Sequence, residues 1–112
     1  MSSWLRCKKP KRLPMLVPES TIATRSALDT YGDYEQAQIA IEELAELVVA
    51  LKHYERSRID KLVVCNEIAD VCIVLAQLVD AFGREDVVRL TEEKQKRLME
   101  RLLLRDTHNS AL

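Results

Sequence analysis

Glycine, proline and aromatic residues are scarce in this chain. Two Gly and three Pro occur in 112 residues, and aromatics make up 4%. With so few turn formers, and no strand-like alternation long enough to count, a β fold is excluded. Zinc-type chemistry is excluded too. Cys7, Cys65 and Cys72 are odd in number and lack C-x-x-C spacing, so they read as free thiols in a reducing cytosol. Cys65 and Cys72 lie seven apart, on one side of a helix, and are expected to be buried. No uninterrupted apolar run is long enough to cross a membrane. The most apolar stretch, Leu62 to Phe82, is broken by Asn66, Glu67, Asp70, Gln77 and Asp80. No membrane span is expected there, nor a signal peptide at the basic N-terminus, which lacks an apolar segment behind it.

What is abundant is helix-forming. Hydrophobic residues are 47% and charged residues 31%, dominated by Leu, Ala, Val, Glu, Lys and Arg. The net charge of −1 hides an asymmetry. Residues 1–30 hold six basic and two acidic residues, and 31–112 hold eleven and sixteen. The acidic part argues against a nucleic-acid binder.

Residues 1–30 show no sustained periodicity. Pro10, Pro14 and Pro18 punctuate them, and Arg6, Lys8, Lys9, Lys11 and Arg12 cluster there. They read as a flexible or loosely docked arm. Beyond it the pattern predicts three long helices. The first begins at Asp33, with Gln36 completing a capping box, and runs to about Tyr54. Ser57 and Asp60 open a second, from about Arg58 to Phe82, stopped by Gly83. The third starts near Glu85 and Asp86 and ends at about Arg105, leaving 106–112 as a frayed tail. The expected fold is all-α, an antiparallel helical bundle. Three such helices leave apolar surface beyond one core, so a dimer at least is predicted.

The chemistry lies in four acids. Glu43 and Glu46 are three apart, as are Glu67 and Asp70. Each pair therefore shares a helix face, on which Glu42 and Asn66 are the only other polar neighbours. Two antiparallel helices packed on these faces bring the pairs together. Like charges about 4 Å apart repel by roughly 4 kcal/mol at an effective dielectric of 20, and desolvation adds several kcal/mol per ion. Either some acids are protonated or a cation sits among them. The plain alternative is salt bridges to Lys52, Lys61, Arg97 or Arg101. The ligands on offer are oxygens, since neither His53 nor His108 stands in an E-x-x-H unit. Such a site suits Mg²⁺ or Mn²⁺, with substrate phosphates.

The pattern Glu42, Glu43, Glu46, then Glu67 and Asp70, resembles the MazG-like all-α nucleoside triphosphate pyrophosphohydrolases. Gly32 and Gln36 ahead of it, Ala69-Asp70-Val71, and the basic run Glu93 to Leu98 with Arg101 strengthen the likeness, which covers about residues 30–105. The resemblance implies Mg²⁺-dependent cleavage of a nucleoside triphosphate between the α and β phosphates. It implies Glu43, Glu46, Glu67 and Asp70 as metal ligands. Glu42 would be a further ligand or would activate the water. It also implies a dimer, or a tetramer of dimers, with four-helix cores. Lys94, Arg97 and Arg101 share a face and are candidates for phosphate contact, unless Arg97 simply pairs with Glu93 and Glu100. Lys52, His53 and Arg56 are secondary candidates. Gln36 is a candidate for base contact as well as for capping. Two other readings stand beside this one. A superfamily enzyme could act on phosphoribosyl-ATP, dUTP or dCTP, and a helical interaction module could keep the acids without turnover.

Overall fold

The computed structural model describes residues 16–111. The basic cluster, Trp4 and Cys7 lie outside the described residues. Within them the chain is all-α, with no strand: α1 (Ile22–Tyr31), α2 (Asp33–Glu55), α3 (Lys61–Phe82) and α4 (Arg84–Ala111). The long helices are the three that the pattern predicts, and α1 is an addition inside the expected arm. Its start is built by a reciprocal cap. Thr24 N donates to the Thr21 hydroxyl at 3.1 Å, and Thr21 N donates to the Thr24 hydroxyl at 2.9 Å. A Thr at the third position replaces the usual Glu or Gln, so the sequence signal is weak. The other end is α4, which continues through the expected frayed tail to Ala111.

Gly32 separates α1 from α2. Its φ of +88° is open to glycine, and its N–H closes α1 onto the Leu28 carbonyl at 2.8 Å. This glycine, not Asp33, is the N-cap of α2, with no side-chain cap bond. The predicted Asp33–Gln36 capping box is therefore absent. The α2–α3 turn also differs from expectation. Asp60 caps α3 by accepting from Leu62 N at 3.1 Å and Val63 N at 3.3 Å. Ser57 instead takes φ +58° just past α2. There its N–H reaches the Tyr54 carbonyl and that of Arg58 reaches His53, which is a Schellman closure. Gly83 ends α3 as predicted, with φ +130° and its N–H on Val79.

Most of the packing joins α2 to α3, and α1 rests on both. The short connection makes α2 and α3 an antiparallel hairpin. Its buried apolar residues are small: Ala40, Ala50, Val71, Val74, Ala76 and Val79. No large side chain is fully buried among the described residues. A second face of α2, Ala37, Ile41, Leu44, Val48 and Leu51, repeats at 4-3-4-3 spacing and lies open, with Ile41 59% and Val48 61% exposed. That spacing is of the kind found along coiled-coil seams. Cys65 and Cys72 are free thiols, but they are exposed, not buried. They lie with Leu62 and Ile68 on an open face of α3. By length and composition α3 is apolar enough to cross a membrane, and 33% of that stretch is buried in one chain.

Among the described helices, α4 packs on α3 alone. Every described residue from Glu92 to Thr107 is exposed. The radius of gyration is 18.9 Å, against about 13 Å for a compact chain of this length. One chain is thus a hairpin with a projecting arm.

Candidate metal centre

The hairpin brings Glu43 and Glu46 of α2 to Glu67 of α3. One carboxylate oxygen from each lies within 4.8 Å of the others. Helical register explains this placement. Glu43 lies one turn from the buried Ala40, and Glu67 one turn from the buried Val71. Each is held at the edge of the packing face. Glu43 Oε2 and Glu67 Oε2 are both buried without a hydrogen-bond partner. Such orphaned acceptors are costly in a native structure.

The electrostatics follow from that position. Burial pushes the Glu43 carboxyl above its ordinary value, and the charges of Glu46, Asp70 and Glu67 push it further. Glu67 is raised for the same reasons, by burial first and then by Glu46 and Asp70. Asp70 thus belongs to the field of the cluster, although it is outside the three-oxygen group. Glu42 is exposed and also outside that group.

No Lys, Arg or His forms a salt bridge with these acids among the described residues. Lys52, one of the expected partners, pairs with Glu55 at 3.2 Å. The expected Arg97 pairing is absent as well, since Glu93 is held by Arg89 at 3.5 Å. Three converging carboxylates, two of which carry an orphaned oxygen, fit a hard divalent cation.

The remaining candidates are placed elsewhere. Gln36 is 4% exposed and lies two turns before Glu43. Lys94, Arg97 and Arg101 are exposed on α4, which does not pack on α2. The structure adds a cleft of about 340 Å³ between α2 and α3, next to the acids. Glu46 and Glu67 form one end, His53 lies along it, and Val49, Ile59 and Val63 give it apolar walls. His53 was only a secondary candidate by sequence. Ile59 carried no signal at all, because it sits in the turn that closes the cleft.

No family model, curated protein or solved structure matches the chain.

Proposed function

We propose that this protein is a metal-dependent nucleoside triphosphate pyrophosphohydrolase, which cleaves between the α and β phosphates to give a monophosphate and pyrophosphate. The observation that carries this reading is the convergence of Glu43, Glu46 and Glu67 across the hairpin, with no Lys, Arg or His paired to them among the described residues. Glu43, Glu46, Glu67 and Asp70 would hold Mg²⁺, or Mn²⁺ in its place. When bound, the metal would polarise phosphoryl oxygens and supply a more acidic water. The chain's own part is to hold these acids in place and to take a proton. Glu42, adjacent and solvated, and Glu43 are the candidate bases.

The cleft supports a nucleotide as substrate. Its volume is in the range of small-molecule sites, and its apolar walls stand directly beside the acids. A nucleoside would lie there with its phosphates toward the metal. We assign the open faces of α2 and α3 to contact with further copies of the chain in a cytoplasmic dimer or tetramer with four-helix cores. Lipid is a poor alternative, since Glu67 and Asp70 would meet the bilayer interior on α3.

The test is incubation with a panel of NTPs and dNTPs, with Mg²⁺ or Mn²⁺, followed by identification of products. Monophosphate with pyrophosphate supports the reading, and the ranking, with dUTP and dCTP in the panel, gives the substrate. Diphosphate with orthophosphate contradicts it. The rival is an interaction module without turnover, in which the acids hold no metal and Mg²⁺ gives no thermal shift.

A further inference from the structure

The cleft between α2 and α3 is polar at its ends and apolar between them. Glu46 and Glu67 stand at one end. Apart from those two acids, His53 is the one polar residue that lines it. Helical register sets the two ends on one face of α2. Glu46 and His53 are seven residues apart, which is close to two full turns, so their side chains leave the helix in the same direction. Along the axis they are about 10 Å apart. Val49 and Ala50 lie between them on α2, with Val63 across the cleft on α3.

The end that holds His53 is pinned by its backbone. Arg58 N–H donates to the His53 carbonyl at 2.9 Å, and Ser57 N–H donates to the Tyr54 carbonyl at 2.9 Å. Asp60 accepts from Leu62 N and Val63 N. The turn held in this way places Ile59 in the cleft wall. The His53 ring is half-buried there. Among the described residues, no hydrogen bond or ion pair engages its nitrogens. A neutral imidazole offers one donor and one acceptor, and both are free for a ligand.

Charge decides which part of a nucleotide each end takes. The phosphates belong with the metal, at the acids. His53 lies in the last turn of α2, where the helix carbonyls present partial negative charge and disfavour an anion. The adjacent cation, Lys52, is paired with Glu55 at 3.2 Å. In the sequence His53 reads as a secondary phosphate contact, and this position turns it toward the uncharged end of the ligand instead. The span agrees. A ribose joins the α phosphorus to the base through about six bonds of roughly 1.5 Å each, and the base adds its own width. Apolar walls discriminate bases only weakly, whereas a hydrogen bond to the base edge discriminates strongly.

We propose that His53 selects the base: its ring hydrogen-bonds the edge of the nucleobase, whose faces lie against Val49 and Val63. The proposal rests on the nucleotide reading of the cleft and names the residue that sets the preference within it.

The experiment is NMR of the full chain labelled at its histidine rings. The sequence holds two histidines, and the His53→Gln variant assigns the signals. The probes are Mg²⁺ with non-hydrolysable α,β-imido analogues of ATP, GTP, CTP and UTP, and Mg²⁺ with tripolyphosphate, which has no base. At least one analogue is expected to give nuclear Overhauser contacts between the His53 ring and base protons, while tripolyphosphate leaves the ring signal in place. His53→Ala is expected to raise the Kd of that analogue about tenfold, the loss of roughly one hydrogen bond, and to leave that of tripolyphosphate unchanged. An analogue that shifts the Glu43 and Glu67 amides but not the His53 ring would overturn the proposal and leave the hydrolase reading standing. An equal effect of tripolyphosphate on the ring, or an equal loss of both affinities in His53→Ala, would overturn it in favour of phosphate contact. No change anywhere with any probe would overturn both readings together.

Discussion

Glu43 and Glu67 face each other from opposite helices of one hairpin, each with a buried carboxylate oxygen that accepts no hydrogen bond. Both are raised above the ordinary carboxylate value, by burial first and by neighbouring acids second. A folded chain therefore holds protons that the unfolded chain would release. A group raised in this way contributes stability below its unfolded value, and that contribution is lost as pH rises through the folded value. Unfolded glutamates titrate near 4.5. The metal-free protein is expected to lose thermal stability as pH rises from there toward neutrality. Melting curves in chelator across that window check this, and a flat or rising Tm would contradict it.

Substitution of single acids is expected to separate stability from activity. Glu46→Gln and Asp70→Asn relieve repulsion in the cluster, so each variant should melt at or above the wild-type temperature in chelator. Each should also lose hydrolysis and the thermal shift given by Mg²⁺. Wild-type turnover in either variant would show that the metal site is wrongly placed.

The turn after α2 carries a correctable strain. Ser57 occupies the left-handed position of a Schellman closure, at φ +58°, where glycine is preferred. Ser57→Gly is expected to stabilise the protein by about 0.5–1 kcal/mol, read from denaturant midpoints. A loss of stability would mean that the Ser57 side chain makes contacts of its own.

At the other end of the hairpin, Asp80 is held below its ordinary value, chiefly by the hydrogen bond from Arg84, with help from the Ser20 hydroxyl. A depressed carboxyl contributes stability above its unfolded value and loses it as pH falls through the folded one. Asp80→Asn is expected to cost about 1–3 kcal/mol at neutral pH. The gap to wild type should close below about pH 4, as the wild-type carboxyl protonates. A gap that persisted in acid would point to packing, not charge.

How much of this was legible in the sequence differs from element to element. The meeting of Glu43, Glu46 and Glu67 could be read because a three-residue spacing inside an apolar stripe has one geometric meaning on a helix, while Asp70 stays outside that group. Gly83 could be read because only one residue type suits that backbone. Capping was harder. Asp33, Ser57 and Asp60 are all good caps by type, and only Asp60 makes the bonds. The open seam of α2, the exposed Cys65 and Cys72, and the projecting α4 were not legible. An apolar stripe marks a face suited to packing, but does not say whether its own chain packs on it.

The seam gives its own prediction. Leu44→Glu or Val48→Glu places a charge on an open face of the single chain, so the hairpin should still fold. Sedimentation should show a shift toward monomer, with helical circular dichroism retained. An unchanged assembly would remove the seam from the interface.

The central claim is that acids of two helices form one metal site, and Mn²⁺ binding tests it most directly. Free Mn²⁺ is read by electron paramagnetic resonance during titration of wild type, Glu43→Gln and Glu67→Gln. Saturable binding in the wild type, weakened at least tenfold by either change alone, is the predicted result. Binding that is absent in the wild type, or equal in all three, would contradict the site.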